Sequence, residues 1–273
     1  MSSRASASVL FFITVFLAGP SASTDRCERL LAEARNAEST VTAKEAEQLY
    51  VAAAQLSGSD ISCQSHALRR LSALCTRYAD VGDAARCAES VVSVADRHGL
   101  SQEALYRSIT QLAAIYTDQK RYSDAERMWR RAVKIAEEDG PWPGVASQAH
   151  PLLQLAEVAR AQGRFSEAEE AYKRVIALHE RSDGPEAFGL IPPLDGLGAL
   201  YMHQDRFDEA AEAYQHELRA FERRLGSGDS QALASLLKRY AKALSKAGRQ
   251  DDAEAVSRRA EEMRRRIGAA TAG

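Results

Sequence analysis

Four cysteines and six histidines carry most of the chemistry open to this 273-residue chain. Cys27, Cys63, Cys75 and Cys87 all fall in its first third. In an oxidising compartment an even cysteine count predicts two disulfides, for which three connectivities exist. The spacings lack the paired C-x-x-C of a structural zinc site. His66, His98, His150, His179, His203 and His216 are scattered along the chain. His203 and His216 flank one turn but have no third ligand, so a solvated role is expected for them rather than a metal. The acidic pairs Glu137–Glu138 and Glu169–Glu170 read as solvated helix faces, not as acid/base pairs. H-E-x-x-H, G-x-S-x-G, the phosphate-binding G-x-x-x-x-G-K and a dinucleotide fingerprint are all missing. The expectation is no enzyme, no cofactor and no metal.

Whether the thiols meet an oxidising compartment depends on the N-terminus. Arg4 precedes an apolar run from Val9 to Ala18, closed by Gly19, Pro20, Ser21, Ala22 and Ser23. A charged start, a short apolar stretch and small closing residues fit a secretory signal peptide over residues 1–23, cleaved after Ser23. The run falls short of the roughly 20 residues of an ordinary spanning helix. The alternative is an uncleaved anchor. Cys27 lies behind Thr-Asp-Arg, the wrong context for a lipoprotein signal. The whole chain is 45% hydrophobic and 27% charged, poor in Gly and Pro, with net charge -2. That balance favours soluble helices and gives no bulk attraction to nucleic acid or an anionic membrane.

The elements that must position these side chains are legible between Pro151 and Glu180. Leu152, Leu155, Ala156 and Ala159 form one apolar stripe at helical spacing. A Gly-Arg turn follows, then Phe165, Ala168, Tyr172 and Val175 mark a second stripe. Ser166 with Glu169 reads as a capping box opening the second helix. Phe165 serves as a ruler, because matching positions recur at Val81, Tyr122, Phe207 and Gln250, 41 to 43 residues apart. Three residues after each stand Ala84, Ala125, Ala168, Ala210 and Ala253. Ten before stand Leu71, Leu112, Leu155, Leu197 and Tyr240. Nine before, mostly small, stand Ser72, Ala113, Ala156, Gly198 and Ala241. Small residues let paired helices touch, and each hairpin has an apolar face that needs a neighbour. A weaker sixth unit precedes these, with Leu30, Leu31 and Ala34 before a turn near Thr40 and Ala43 after it. Pro151 and Pro192–Pro193 are placed in first turns, and Ser101, Ser123 and Asp251 as N-caps.

The order Leu-x-x-Leu-Ala-x-x-Ala, then Phe, then Ala-x-x-x-Tyr, resembles a tetratricopeptide repeat (TPR). The period near 42 exceeds the usual 34 and resembles the kinesin-light-chain variety, over roughly Ser65 to Arg266. The resemblance implies an all-α fold, a right-handed α-solenoid of five to six hairpins. Its domains would be a signal peptide at 1–23, a degenerate hairpin at 24–62, the repeats at 63–267 and a frayed tail at 268–273. Two features depart from the pattern. The closing proline is missing or displaced, and Glu217 stands where Val91, Ala132, Val175 and Ala260 are apolar or small. A register shift in that helix is therefore expected. The register also favours Cys75–Cys87 across one hairpin and Cys27–Cys63 between stacked ends. The alternative leaves Cys75 and Cys87 as small core residues.

In such a solenoid the first helices line a concave groove. Carrying the register over places Arg69, Arg77, Arg107, His150, Arg160, His203, Lys238, Lys242 and Lys246 in it, with Asp195 and Met202 beside them. The groove is locally basic, which points to an acidic protein or peptide segment as partner; the alternative is that these charges only keep the surface soluble. It lacks the Lys/Asn set by which chaperone-binding TPR domains resemble one another. Trp142 in its proline-flanked loop is a further candidate contact. The expected function is a non-enzymatic interaction scaffold outside the cytoplasm, periplasmic or secreted. A membrane-tethered assembly factor is the alternative if the N-terminal segment is retained.

Overall fold

The computed structural model describes residues 20–40, 43–56, 61–75, 77, 81–97, 102–138, 145–225 and 230–271. Among them lie twelve α-helices and no strand. The helices are α1 (Pro20–Thr40), α2 (Ala43–Ala54), α3 (Ile61–Cys75), α4 (Val81–Arg97), α5 (Gln102–Asp118) and α6 (Tyr122–Glu138). They continue with α7 (Val145–Ala161), α8 (Phe165–Asp183), α9 (Ile191–His203), α10 (Phe207–Leu225), α11 (Gln231–Lys246) and α12 (Gln250–Thr271). Each packs on its neighbours in sequence, and odd helices also touch odd ones, as α1 with α3, α3 with α5 and α7 with α9. The result is an all-α solenoid of six hairpins, the first of them the weak N-terminal unit. None of the helices is long and apolar enough to cross a membrane, among the described residues. The signal peptide's apolar run, Ser101 and Trp142 lie outside the described residues.

The ruler residues Val81, Tyr122, Phe165, Phe207 and Gln250 are each the first residue of an even helix. The five alanines that follow them are all buried, at most 7% exposed. The turn before them is built the same way at four places. Lys120, Gly163, Asp205 and Gly248 each take a positive φ, between 57° and 78°. The next residue is always arginine, and its N–H reaches back to a carbonyl five residues earlier. These bonds are Arg121 to Tyr116, Arg164 to Ala159, Arg206 to Tyr201 and Arg249 to Leu244, at 2.9–3.0 Å. This is the Schellman closure, which satisfies carbonyls that a helix end leaves unpaired.

Several local expectations are corrected. The even helices start at the ruler residue, so Ser123, Ser166 and Asp251 lie inside them rather than capping them. The N-cap of α8 is Arg164, with no side-chain cap bond. Glu169 turns instead to Arg206, Lys173 and Tyr201. Pro151 lies inside α7, which begins six residues earlier at Val145, whereas Pro192 and Pro193 do sit in the first turn of α9. The α12 helix runs on to Thr271, through four residues assigned to a tail.

Both disulfides join the cysteines as the register favours. Cys27–Cys63 ties α1 to the first turn of α3, and Cys75–Cys87 closes the α3/α4 hairpin. Their Cα separations of 6.4 and 5.5 Å are ordinary for a bridge.

Candidate functional site

The odd helices form one layer of the stack, and the predicted groove residues come from them or from the turn after α3. Their charges are not equally available. Arg77 reaches Glu38 at 3.1 Å, Arg107 reaches Glu103 at 2.6 Å and Arg160 reaches Glu157 at 2.6 Å. Tyr172 also donates to Glu157, at 2.5 Å. His150 sets its ring edge-on to buried Trp129, 5.5 Å away, and desolvation lowers its pKa. His203 packs on the ring of Phe165 at 4.8 Å. Arg69 is exposed beside His66, whose pKa is lowered by burial and by Arg69, Arg35 and Arg70.

The exception is the column Lys238, Lys242 and Lys246 on α11. Spacing of four puts the three ammonium groups on one face, all exposed. Lys246 lies 6.0 Å from the centre of the Phe207 ring. Among the described residues Lys238 and Lys242 have no ion-pair partner. Like charges at this spacing cost a few tenths of a kcal/mol per pair, roughly, so the helix carries them at a small loss. Its start is well anchored: Ser230 caps it by accepting from the Leu233 N–H at 3.1 Å.

Beside this column lies a cluster that sequence reasoning missed in part. Glu217 does not shift the register of α10. Ala210, Ala213, Tyr214, Ala220 and Phe221 keep their buried stripe, and Glu217 fills the apolar slot itself, 2% exposed. Arg239 of α11 covers it, with Nη2 donating to Glu217 Oε1 at 3.3 Å and standing 2.9 Å from Asp195 Oδ1 of α9 in an ion pair. Its guanidinium also stands 5.7 Å from the Tyr214 ring centre. Burial pushes the Glu217 carboxyl up to about 8, with repulsion from Asp195 adding and Arg239 only partly offsetting. Glu217 Oε2 and Arg239 Nε are buried without a partner. Close helix approach frames the cluster. A Cβ on Gly196 would come 2.5 Å from the Tyr172 ring, and one on Gly198 2.6 Å from Tyr214. The signal visible in the sequence is Glu217 itself. Arg239, eleven residues before Gln250, stands at no position that the repeat marks.

The even-helix face carries a second missed pattern, a ladder of ion pairs between units. Arg131 meets Asp96, Arg174 meets Glu137 and Arg259 meets Glu222. The matching rung in between is His216, 4.0 Å from Glu180, whose Nε2–H donates to the Pro185 carbonyl at 2.6 Å. Deeper in the same seams, Arg164 holds Glu126 at 2.6 Å and Arg206 holds Glu169 at 2.7 Å. Arg206, Lys173 and Tyr201 together hold the Glu169 carboxyl down at about 2, the Arg206 bond weighing most. A cleft of about 300 Å³ between α6 and α8, floored by Leu152, Leu155 and Ala159, has the same matched charges on its rim. These groups staple unit to unit and leave little charge over. Among the described residues no cluster of His, Cys, Asp and Glu could hold a metal.

Comparison with known proteins agrees with this architecture. Residues 71–270 match the family described as the MalT-like TPR region. BtubC (BKLC) from P. vanneervenii is similar in structure with a TM-score of 0.65 at 20% identity, over 92% of this chain and 93% of that one. A Podosopora anserina putative kinesin light chain with nearly identical TPR-like repeats gives 0.63 at 20% identity, over 75% and 97%. The MamA protein gives 0.55 at 17% identity, over 75% and 93%. At such identities the likeness concerns the fold. No curated protein matches the sequence.

Proposed function

The chain belongs to the MalT-like TPR family, and from that premise we propose that it is a non-enzymatic scaffold holding a segment of a partner protein on its odd-helix face, outside the cytoplasm. TPR solenoids in general bind protein partners, and the repeats here stack into the continuous surface that such binding uses. The observation that carries the reading is the Lys238–Lys242–Lys246 column, exposed on an odd helix and short of internal counter-charge. It calls for a partner with acidic groups, whose long-range attraction would mainly raise the association rate. Arg69, also exposed, extends the same layer toward the N-terminus. The two disulfides, which persist in oxidising compartments, support an exported protein; cleavage after Ser23 rests on the sequence of the N-terminal segment alone.

Affinity capture from the exported fraction, run in parallel with the wild type and with Lys238, Lys242 and Lys246 changed to Glu, tests the groove. A partner retained by the wild type and lost by the variant, with affinity falling as salt rises, is the expected result. Equal capture by both would refute a basic groove. N-terminal sequencing of the mature protein tests the export reading, with Thr24 expected as the first residue.

A further inference from the structure

We propose that Arg239 is the residue on which the groove seats a partner carboxylate, and that Asp195 occupies that seat in the free protein. The proposal rests on the groove reading and names its anchor.

The guanidinium is only partly used. Both of its carboxylate contacts fall on Nη2, Asp195 at 2.9 Å and Glu217 at 3.3 Å. Nε is buried and closed to a ligand from solvent, which leaves Nη1, without a partner among the bonds described, beside Nη2 as the open edge. A guanidinium presents a planar fork that suits a carboxylate held by two nitrogens. Here that fork is met on one prong. Glu217 fixes the arginine from below without being displaceable, because its side chain is 3% exposed. Asp195 is different in kind. Its side chain is 44% exposed and that of Arg239 41%. The pair thus opens on the outer surface of the odd layer. An ion pair so exposed is worth at most about 1 kcal/mol, which an incoming carboxylate can match by competing for the fork.

The surroundings agree on the sign of the ligand. Lys238 is the neighbour of Arg239 in the chain, and Lys242 lies one turn on, both exposed. Apart from the buried Glu217, Asp195 is the one acidic group that ion-pairs with Lys238, Arg239 or Lys242 among the described residues. Burial favours the protonated, neutral form of Glu217, so that group offsets little of the Arg239 charge. A segment with several carboxylates would set one on Arg239 and the rest along the lysine column. The self-pair with Asp195 would keep weaker anions out, since a ligand must first replace it.

A fluorescein-labelled hexaglutamate peptide serves as probe, its anisotropy read against the full mature chain at low salt. Asp195→Asn, which frees the fork, is expected to tighten binding by about threefold. Arg239→Lys, which keeps the charge but loses the fork, is expected to weaken it by a similar factor. Asp208→Asn removes an exposed acid at the start of α10 and controls for net charge; its effect should be smaller than that of Asp195→Asn. Circular dichroism confirms that each variant folds. If Asp195→Asn gives no gain, or no more than Asp208→Asn, the seat is refuted. If that happens while the triple lysine variant still loses the peptide, the basic groove stands without this anchor. If neither wild type nor Asp195→Asn binds the peptide, both ideas fail.

Discussion

Replacing Glu217 by glutamine isolates the energetic consequence of a carboxyl buried in an apolar slot. In the folded chain that carboxyl titrates near 8 rather than 4.5. An acid whose folded pKa is raised keeps its proton in the native state over a range where the unfolded chain has lost it. Stability therefore falls as pH rises from about 4.5 to about 8, and is constant outside that window as far as this group is concerned. The full span corresponds to about 5 kcal/mol, and about 3 kcal/mol of it is lost by pH 7. The side chain is 3% exposed, so solvent screening takes little from these figures. The amide of the Glu217→Gln variant has nearly the same volume, can still accept from Arg239, and does not titrate. Urea unfolding of both proteins, followed by circular dichroism between about pH 5 and pH 9, gives the difference directly. The wild type should lose several kcal/mol relative to the variant over that range, with the steepest change between pH 5 and pH 8. Curves that run parallel within about 0.5 kcal/mol would refute the reasoning, whatever the constant offset between them. Hydrogen exchange should place the change in α10 and α11, since solenoid stability is a sum of local terms.

Glu169→Gln is the opposite case: its carboxyl is held near 2 by Arg206, Lys173 and Tyr201, so its contribution is present above about pH 4.5 and disappears as pH falls toward 2. Acid unfolding should cost the wild type about 2 kcal/mol more than the variant over that range, after allowing for partial exposure. At the turns, Gly163→Ala should cost about 1 kcal/mol because φ there is 75°, and Lys120→Gly, at φ 58°, should gain a comparable amount in urea melts. Removing Cys27–Cys63 by double serine substitution should cost about 4 kcal/mol and removing Cys75–Cys87 about 3 kcal/mol, from the lengths of the loops closed, measured without reductant.

The fold was legible because its cause is local and repeated. The ruler from Val81 to Gln250, the alanine three residues later and the small residue nine before each follow from one requirement, that two helix backbones approach and a neighbouring hairpin cover them. Copies of one solution reinforce each other, so the register survived even a glutamate in the apolar slot. The same register was enough to pair the cysteines. Helix starts were less legible. Ser166 and Glu169 satisfy the pattern of a capping box, but the Schellman turn and the arginine after it begin α8 two residues earlier and leave Glu169 to the next unit. The candidate site divides in the same way. Exposed lysines at a spacing of four are visible in the chain, because the helix period alone puts Lys238, Lys242 and Lys246 on one face. Which groove cations stay available was decided by tertiary structure, since Arg77 is taken by Glu38 from a helix some forty positions away. The Asp195–Arg239–Glu217 cluster was decided there too. Its three members come from three helices, and no periodicity relates them. Charge in a repeat protein is read between units, where one helix's side chain finds another's, while apolar spacing is read within each unit. The sequence by itself therefore determined the stack and its spacing; only the packed structure determined where charge is left over.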